Sequence, residues 1–173
     1  NQYGVTKAAA EGIAVHANSY TVPRGMAVSV VRYGNVLGSR GSVMEVWEQQ
    51  RRAGLPLTLT DPAMTRFIIS LPLAVEVVLR ALAHMQGGEI YIPRLPATSM
   101  GALVENLYPG YPTQVAGIRS GGEKMHESLL SREERYRVHK VDDLLWLVAP
   151  SFHSWTVYEY PVECVPDYSS RAV

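Results

Sequence analysis

One run of residues constrains the fold of this 173-residue chain more than any other: the valine-rich stretch MAVSVVRYG at positions 26–34. Most of its residues are apolar and they do not alternate strictly with polar ones, which is typical of a strand buried on both faces of a sheet. Helical patterns flank this run at 2–20 and near 42–53. Strands that alternate with helices in this way predict an α/β layer architecture.

The same alternation continues along the rest of the chain. Further strands are predicted at 55–61, 87–93 and 113–119. Helices are predicted at 69–85 and Ser99–Leu107, and short helices or turns at 123–135 and Val141–Leu145. The tail from Pro150 is rich in Ser, Tyr and Pro, and we expect it to be irregular.

Composition excludes several classes of function. Sixteen basic residues balance sixteen acidic ones, and the absence of a basic run predicts no nucleic-acid partner and no membrane contact. The single Cys164 excludes an internal disulfide and fits a reducing, cytoplasmic compartment. No apolar stretch reaches the ~18 residues of a membrane span. Because Asn1 stands in what reads as mid-fold sequence, we expect a further N-terminal part, and a membrane anchor there stays compatible with the sequence.

Two residues at the start of the first predicted helix suggest acid/base chemistry. Tyr3 and Lys7 stand four residues apart, about one helical turn, so both side chains project from the same face. An ammonium group beside a phenol stabilises the phenolate and makes the phenol easier to ionise. The chain has ten tyrosines, so this spacing alone also arises easily by chance.

The stretch VVRYGNVLGSRGSV places three glycines, Gly34, Gly38 and Gly41, between a predicted strand and a predicted helix. Backbone N–H groups and the helix dipole at such a position favour an anion. The spacing matches neither the dinucleotide fingerprint nor the Walker loop, so a plain strand-to-helix turn is an equal alternative. Asn35 and Arg40 add donors suited to phosphate oxygens, which favours ligand binding.

Three charged residues further along are weaker candidates. Arg66 precedes an apolar run and, taken alone, is better explained as a surface residue. Arg119 follows a predicted strand, and Glu123 opens the next segment, where an acid can serve the helix dipole or accept hydrogen bonds from a ribose diol. His126 and Glu127 lack a second histidine at ligand spacing, so we predict no metal site.

Several segments in order resemble one family: NQYGVTKAAAE, SVVRYGNVLGSRGSV, LTLTDPAMTRFIIS, MQGGEIYIP and GIRSGGEKMHE. They resemble the inverting UDP-N-acetylglucosamine 4,6-dehydratases, in the polysaccharide-biosynthesis (capsular polysaccharide) branch of the extended short-chain dehydrogenase/reductases. The resemblance covers residues 1–150.

This resemblance implies an α/β chain that is the C-terminal part of a Rossmann-type fold, with the N-terminal half absent. Residues 1–54 would end the NAD(P)-binding domain, residues 55–150 would form mainly the substrate-binding lobe, and residues 151–173 an irregular tail. The full-length protein would be a cytoplasmic homo-oligomer that serves surface polysaccharide or glycan biosynthesis.

The resemblance also implies a catalytic pair. Lys7 would hold the nicotinamide ribose of NADP (or NAD) and lower the pKa of Tyr3, Tyr3 would take the proton from the sugar hydroxyl on carbon 4, and Val36 would lie by the nicotinamide. Loss of water across carbons 5 and 6 and inversion at carbon 5 would follow, so the net reaction is a dehydration. The Asp-Lys pair that serves elimination in this family would precede Tyr3 and is not in the chain.

The same resemblance implies a UDP-sugar site. Asn35 and Arg66 would bind the diphosphate, Leu59 and Thr60 would lie near the uracil, and Arg119 with Glu123 would hold phosphate and ribose. The other implied lining residues are Arg40, Gly41, Ser42 and Val43. One glycine more than the family pattern separates Arg119 from Glu123, which puts their relative placement in question.

Two alternatives stay open at this point. A nucleotide-sugar epimerase or reductase of the same superfamily would use the same Tyr-Lys pair without the elimination acid. A catalytically inactive partial copy could persist as a binding or oligomerisation module. The residues just before Asn1 would discriminate among these functions.

Overall fold

The computed structural model describes residues 2–118, 122–151 and 168–171. These ranges contain the α-helices α1 Gln2–Thr21, α2 Val43–Arg52, α3 Leu71–His84 and α4 Met100–Leu107, with 3₁₀ turns at Val22–Arg24 and Glu134–Arg137. They also contain the strands β1 Val30–Val31, β2 Asn35–Val36, β3 Leu57–Leu59, β4 Thr65–Ile69, β5 Ile90–Pro93, β6 Ala97–Ser99, β7 Thr113–Val115, β8 Val138–Lys140 and β9 Leu145–Val148. The predicted α/β class is confirmed.

The four predicted helices are confirmed to within two residues at each end. Capping residues explain where two of them begin, because a side-chain oxygen satisfies a backbone N–H of the first turn. Ser70 Oγ accepts a hydrogen bond from Leu73 N at 3.4 Å at the start of α3, and Pro72 stands in the first turn of that helix, where its missing N–H does no harm. Ser99 Oγ accepts from Ala102 N at 3.1 Å at the start of α4.

The largest sheet has four strands in the order β1-β5-β9-β8. β1 runs parallel to β5, with Val30 opposite Ile90, whereas β9 is antiparallel to both of its neighbours. Helix α3 packs on this sheet through Val77 and Ala81, and Tyr91 and Leu147 belong to the same buried cluster. The sheet therefore combines a parallel pair with an antiparallel hairpin.

The prediction of one long strand buried on both faces at 26–34 is wrong. Only Val30 and Val31 form β1, and both are only half-buried. Upstream, the Asn18 side chain of α1 takes the backbone groups that a neighbouring strand would use: Val28 N donates to Asn18 Oδ1 at 2.9 Å, and Asn18 Nδ2 donates to Val28 O at 2.8 Å. Downstream, Gly34 marks the change of partner from β5 to β4.

Two smaller sheets follow from that change of partner. β2 pairs in parallel with β4, which also pairs with β6 in the antiparallel sense. β3 pairs in parallel with β7, with Leu57 opposite Thr113. The strands predicted at 55–61, 87–93 and 113–119 are present but shorter, and β4 and β6 were not predicted.

The predicted short helices or turns at 123–135 and Val141–Leu145 are only partly correct. One 3₁₀ turn, Glu134–Arg137, overlaps the first of them, but the chain then enters the β8–β9 hairpin. All four residues of β9 are buried, so this strand is stabilised by burial in the sheet rather than by any local pattern. Of the tail predicted to be irregular, residues 152–167 and 172–173 lie outside the described residues, and Ser169 forms an isolated bridge with Ser128.

Gly34 offers a direct test of this architecture. A Cβ at this position would lie 2.3 Å from the carbonyl oxygen of Phe67 and 2.6 Å from its Cβ, so β2 and β4 would have to move apart. We expect Gly34→Ala to destabilise the protein by about 1–3 kcal/mol, measured as a lower midpoint of thermal unfolding by circular dichroism. Gly12→Ala is the control: nothing lies within 4 Å of its added Cβ in α1, so it should be neutral or stabilising. Equal midpoints for the two variants would contradict the close approach.

Candidate functional site

A cavity of about 550 Å³ lies between the glycine-rich turn and strands β3 and β4. That volume is in the usual range for small-molecule sites. Four separate stretches of sequence line it, within 35–47, 58–68, Met100, and 116–123. Among the lining residues are ten of the predicted site residues: Asn35, Val36, Arg40, Gly41, Ser42, Val43, Leu59, Thr60, Arg66 and Glu123.

Arg119 lies outside the described residues. Its role and the effect of the additional glycine before Glu123 therefore stay predictions. Glu123 itself lines the cavity and is half-buried.

The glycine-rich turn forms one side of the cavity. Gly38 and Gly41 have φ values of 69° and 74°, a left-handed conformation that favours glycine. Gly41 N donates to Glu45 Oε2 at 2.6 Å, so the position predicted for an external anion at this N–H is occupied by the chain's own carboxylate. Ser42 Oγ is buried and makes no hydrogen bond within the described part of the chain. The hydroxyl of Ser42 therefore has hydrogen-bonding capacity that no described residue uses.

Arg66 is not the surface residue that its sequence context favoured. Its side chain is 12% exposed and lines the cavity. Nη1 donates to Thr65 O at 2.7 Å and to Met125 O at 3.4 Å, while Nε lies 3.9 Å from Glu127 Oε1. The guanidinium is held in place by backbone acceptors and lies at the limit of salt-bridge distance from the carboxylate of Glu127.

The structure brings Tyr3 and Lys7 together but not to the cavity. Lys7 Nζ lies 5.4 Å from the centroid of the Tyr3 ring, so the ammonium and the phenol are neighbours on α1. Tyr3 is 71% exposed, and residues 2–10 are exposed throughout. Neither residue lines the cavity. The Tyr3–Lys7 pair is therefore exposed on the surface of the described part of the chain, where a ligand can reach it.

One pair of ionic contacts was missed by sequence reasoning. Arg32, at the end of β1, donates from Nε to Glu11 Oε2 at 2.7 Å and from Nη1 to Glu134 Oε2 at 2.9 Å. Glu11 lies one helical turn beyond Lys7 on α1, and Glu134 begins the second 3₁₀ turn. An arginine inside an apolar run was the available signal, because a charge that is mostly buried needs a partner.

These contacts change the ionisation of Glu134. Burial alone would raise the pKa of its carboxyl, but hydrogen bonds from Arg32 and from the backbone of Ser131 outweigh burial and lower the pKa from 4.5 to about 2. The carboxylate is therefore charged throughout the physiological range and binds Arg32 as an ion.

Comparison with known proteins gives a matching family and several similar proteins. The family described as "Polysaccharide biosynthesis protein" matches residues 1–148. An inverting UDP-N-acetylglucosamine 4,6-dehydratase of Campylobacter jejuni is 38% identical over 152 residues, which is 87% of this chain and 45% of that protein. A UDP-glucose 4-epimerase of Rickettsia prowazekii is 38% identical over 148 residues, 83% of this chain and 42% of that protein.

Two further matches cover the whole chain or nearly so. An uncharacterized membrane protein of Methanocaldococcus jannaschii is 38% identical over 94% of this chain and 49% of its own length. The X-ray structure of Pen from Bacillus thuringiensis superposes with a TM-score of 0.86 at 27% identity, covering 100% of this chain and 53% of that one. The chain thus spans about half the length of the curated relatives it matches. Among the described residues, no helix has the length and apolar character needed to cross a membrane.

The low pKa of Glu134 predicts how stability depends on pH. A carboxylate with a depressed pKa in the folded state stabilises it above the unfolded pKa of 4.5, and this stabilisation is lost as the pH falls toward 2. Glu134→Gln should therefore lower the free energy of unfolding by about 1–3 kcal/mol at pH 7 and flatten its pH dependence between those limits. Urea unfolding at several pH values measures both effects. Glu133→Gln, an exposed neighbour, should behave like the parent, and a parent-like pH profile for Glu134→Gln would contradict the assignment.

Proposed function

The chain belongs to the polysaccharide biosynthesis protein family, a branch of the extended short-chain dehydrogenase/reductases, and we propose that it is the C-terminal part of a UDP-N-acetylglucosamine 4,6-dehydratase. The product would be a UDP-4-keto-6-deoxy sugar inverted at carbon 5, used for surface polysaccharide or glycan synthesis. One observation carries the proposal: residues implied for the substrate site come from distant stretches of sequence and line one cavity of about 550 Å³.

The chemistry of the cavity suits a nucleoside diphosphate sugar. Arg40 and Arg66 supply guanidinium groups, which bind phosphate oxygens through parallel hydrogen bonds. Asn35 adds a neutral donor, and the cavity is also lined by Ser42, whose hydroxyl has no hydrogen-bond partner among the described residues. Apolar side chains complete the lining and offer flat contact area to a base and a sugar: Leu59, Met44, Met64, Met100 and Trp47.

In this proposal the residues of α1 carry out the proton transfer. Tyr3, as the phenolate, takes the proton of the hydroxyl on carbon 4 and becomes a neutral phenol. Before this transfer the ammonium of Lys7, 5.4 Å from the ring centroid, stabilises the phenolate. Both side chains are accessible, which fits contact with the nicotinamide end of NADP or NAD. When bound, that cofactor supplies a reversible hydride acceptor. The family resemblance implies that the base that acts at carbon 5 is supplied by residues that precede Tyr3.

The proposed division of labour follows the order of the chain. Residues 1–54 belong to the cofactor domain, and residues 55–150 form mainly the substrate lobe of a cytoplasmic homo-oligomer. The cavity draws on both parts, since Asn35 and Arg40 come from the first and Thr60 and Arg66 from the second. Substrate binding would therefore join the two parts across the glycine-rich turn.

An epimerase is the second candidate, because relatives named UDP-glucose 4-epimerase are also 38% identical. The two functions separate cleanly by product. Full-length protein incubated with UDP-N-acetylglucosamine and followed by NMR should give a 4-keto-6-deoxy sugar if it is a dehydratase. Formation of the 4-epimer with no loss of water would instead show that the protein is an epimerase. If no UDP-sugar is converted, the remaining alternative is the catalytically inactive partial copy.

The role of Tyr3 can be tested by removing its hydroxyl alone. Tyr3→Phe in the full-length protein should lower kcat by about 10²–10⁴-fold, the usual contribution of a general acid/base. Affinity for UDP should stay the same because the ring remains and Tyr3 does not line the cavity. Steady-state kinetics and UDP titration measure the two quantities. Tyr20→Phe, a similarly exposed tyrosine at the other end of α1, is the control, and equal kcat values for both variants would make Tyr3 a structural residue.

The role of Arg66 is tested by separating its two possible ligands. Loss of a charge-assisted hydrogen bond costs about 1.5–3 kcal/mol, so Arg66→Ala should weaken UDP binding by roughly tenfold or more. Affinity for NADP should stay the same. Calorimetric titration of full-length protein with each ligand decides the matter, with Arg52→Ala, a mostly exposed arginine on α2, as the control. Weakened NADP binding with unchanged UDP binding would assign Arg66 to the other ligand.

A further inference from the structure

The residues that hold Arg66 are themselves held by the C-terminal segment 168–171. This segment lies outside the stretch matched by the family description, residues 1–148. It nevertheless contacts β4 through Ser170, which is fully buried. A buried serine needs partners for its hydroxyl, and those partners are close to Arg66.

Ser170 contacts both chain segments that surround Arg66. Its Oγ lies 2.8 Å from Thr65 Oγ1 and 3.2 Å from Thr65 O, and it accepts a hydrogen bond from Glu127 N at 2.8 Å. Its backbone N donates to Glu127 O at 2.9 Å. His126 Nδ1 lies 2.8 Å from the same Thr65 Oγ1. One hydroxyl thus connects β4 to the segment that carries Met125, His126 and Glu127.

Tyr168 fixes the segment in place. Its hydroxyl donates within the Pro93–Leu95 turn, 3.1 Å from Pro93 O and 3.2 Å from Leu95 O, and accepts from Leu95 N. Its ring packs against Phe67, with centroids 4.8 Å apart, and against Trp146 at 4.9 Å. Burial raises the pKa of this phenol, so it stays a neutral donor.

Ser170 holds Thr65 O, one of the two acceptors that orient the guanidinium, and through Glu127 it holds the segment that carries the other, Met125 O. Arg66 Nη1 donates to Thr65 O and Met125 O, and Thr65 N also donates to Met125 O at 2.9 Å. If the link between Thr65 and the 125–127 segment loosens, these two carbonyls can separate. The guanidinium then loses its fixed direction toward the cavity.

We propose that Ser170 is a positioning residue for Arg66, through which the C-terminal segment 168–171 sets the affinity of the site for the diphosphate of a nucleotide sugar. This inference rests on the proposed function, because it takes Arg66 as a diphosphate ligand. Ser170 does not line the cavity, so its effect on binding is indirect and passes through Thr65 and the 125–127 segment.

The test is a double-mutant cycle on the full-length protein, titrated with UDP and separately with NADP. Ser170→Ala removes the hydroxyl and should weaken UDP binding about fivefold, the usual effect of one hydrogen bond. In the Arg66→Ala background the same change should have no further effect on UDP binding. NADP affinity should stay the same in every variant. Ser169→Ala is the matched control, because within the described part of the chain its hydroxyl only accepts from Arg171 N at 3.3 Å.

The outcomes separate the two proposals. Parent-like UDP affinity of Ser170→Ala beside weakened Arg66→Ala overturns the positioning role and leaves the proposed function standing. An effect of Ser170→Ala that persists without Arg66, or that extends to NADP, means a general structural role and also overturns it. A parent protein that does not bind UDP overturns both. If Ser170→Ala does not fold, Ser170→Cys keeps the volume while weakening the hydrogen bonds, and it is read by the same criteria.

Discussion

The rest of this structure depends on one interaction, in which the mostly buried guanidinium of Arg32 binds two carboxylates. It connects β1 to helix α1 and to the second 3₁₀ turn. Arg32 directly follows β1 and binds Glu11 on α1 and Glu134 at the start of the second 3₁₀ turn. Charges removed from water are tolerated only when they are paired, so loss of Arg32 would leave both carboxylates without this cation. Gly34 stands two residues after Arg32, and the residues that follow it line the cavity. The same contacts therefore join the helix that carries Tyr3 to the chain two residues before Gly34.

The helices could be predicted from the sequence because their signals are local. Apolar spacing, serine caps such as Ser70 and Ser99, and proline in a first turn all act within a few residues. The short strands have no such signals. Leu145–Val148 is a run of four apolar residues that periodicity cannot distinguish from a buried helical segment, and only its pairing with β5 and β8 makes it a strand.

The residues of the candidate site also divide into those that the sequence could predict and those that it could not. Asn35, Arg66 and Glu123 could be grouped because motifs in a fixed order resemble a family, and the fold then brings them to one cavity. Ser170 could not be found by such reasoning, since it contacts Thr65 across 105 positions in sequence and belongs to no motif. The occupation of the Gly41 N–H by Glu45 was also beyond prediction, because a carboxylate in the first turn of a helix is ordinarily explained by the dipole alone.

The separation between Thr65 and Ser170 has a consequence for biosynthesis. A ribosome that adds about 5–20 residues per second needs roughly 5–20 s to make the 105 residues between them. Throughout that interval β4 has emerged without the hydroxyl that joins it to the 125–127 segment. Until Ser170 has been added, one polar side of the cavity in the nascent chain therefore lacks the hydrogen bonds that join β4 to the 125–127 segment.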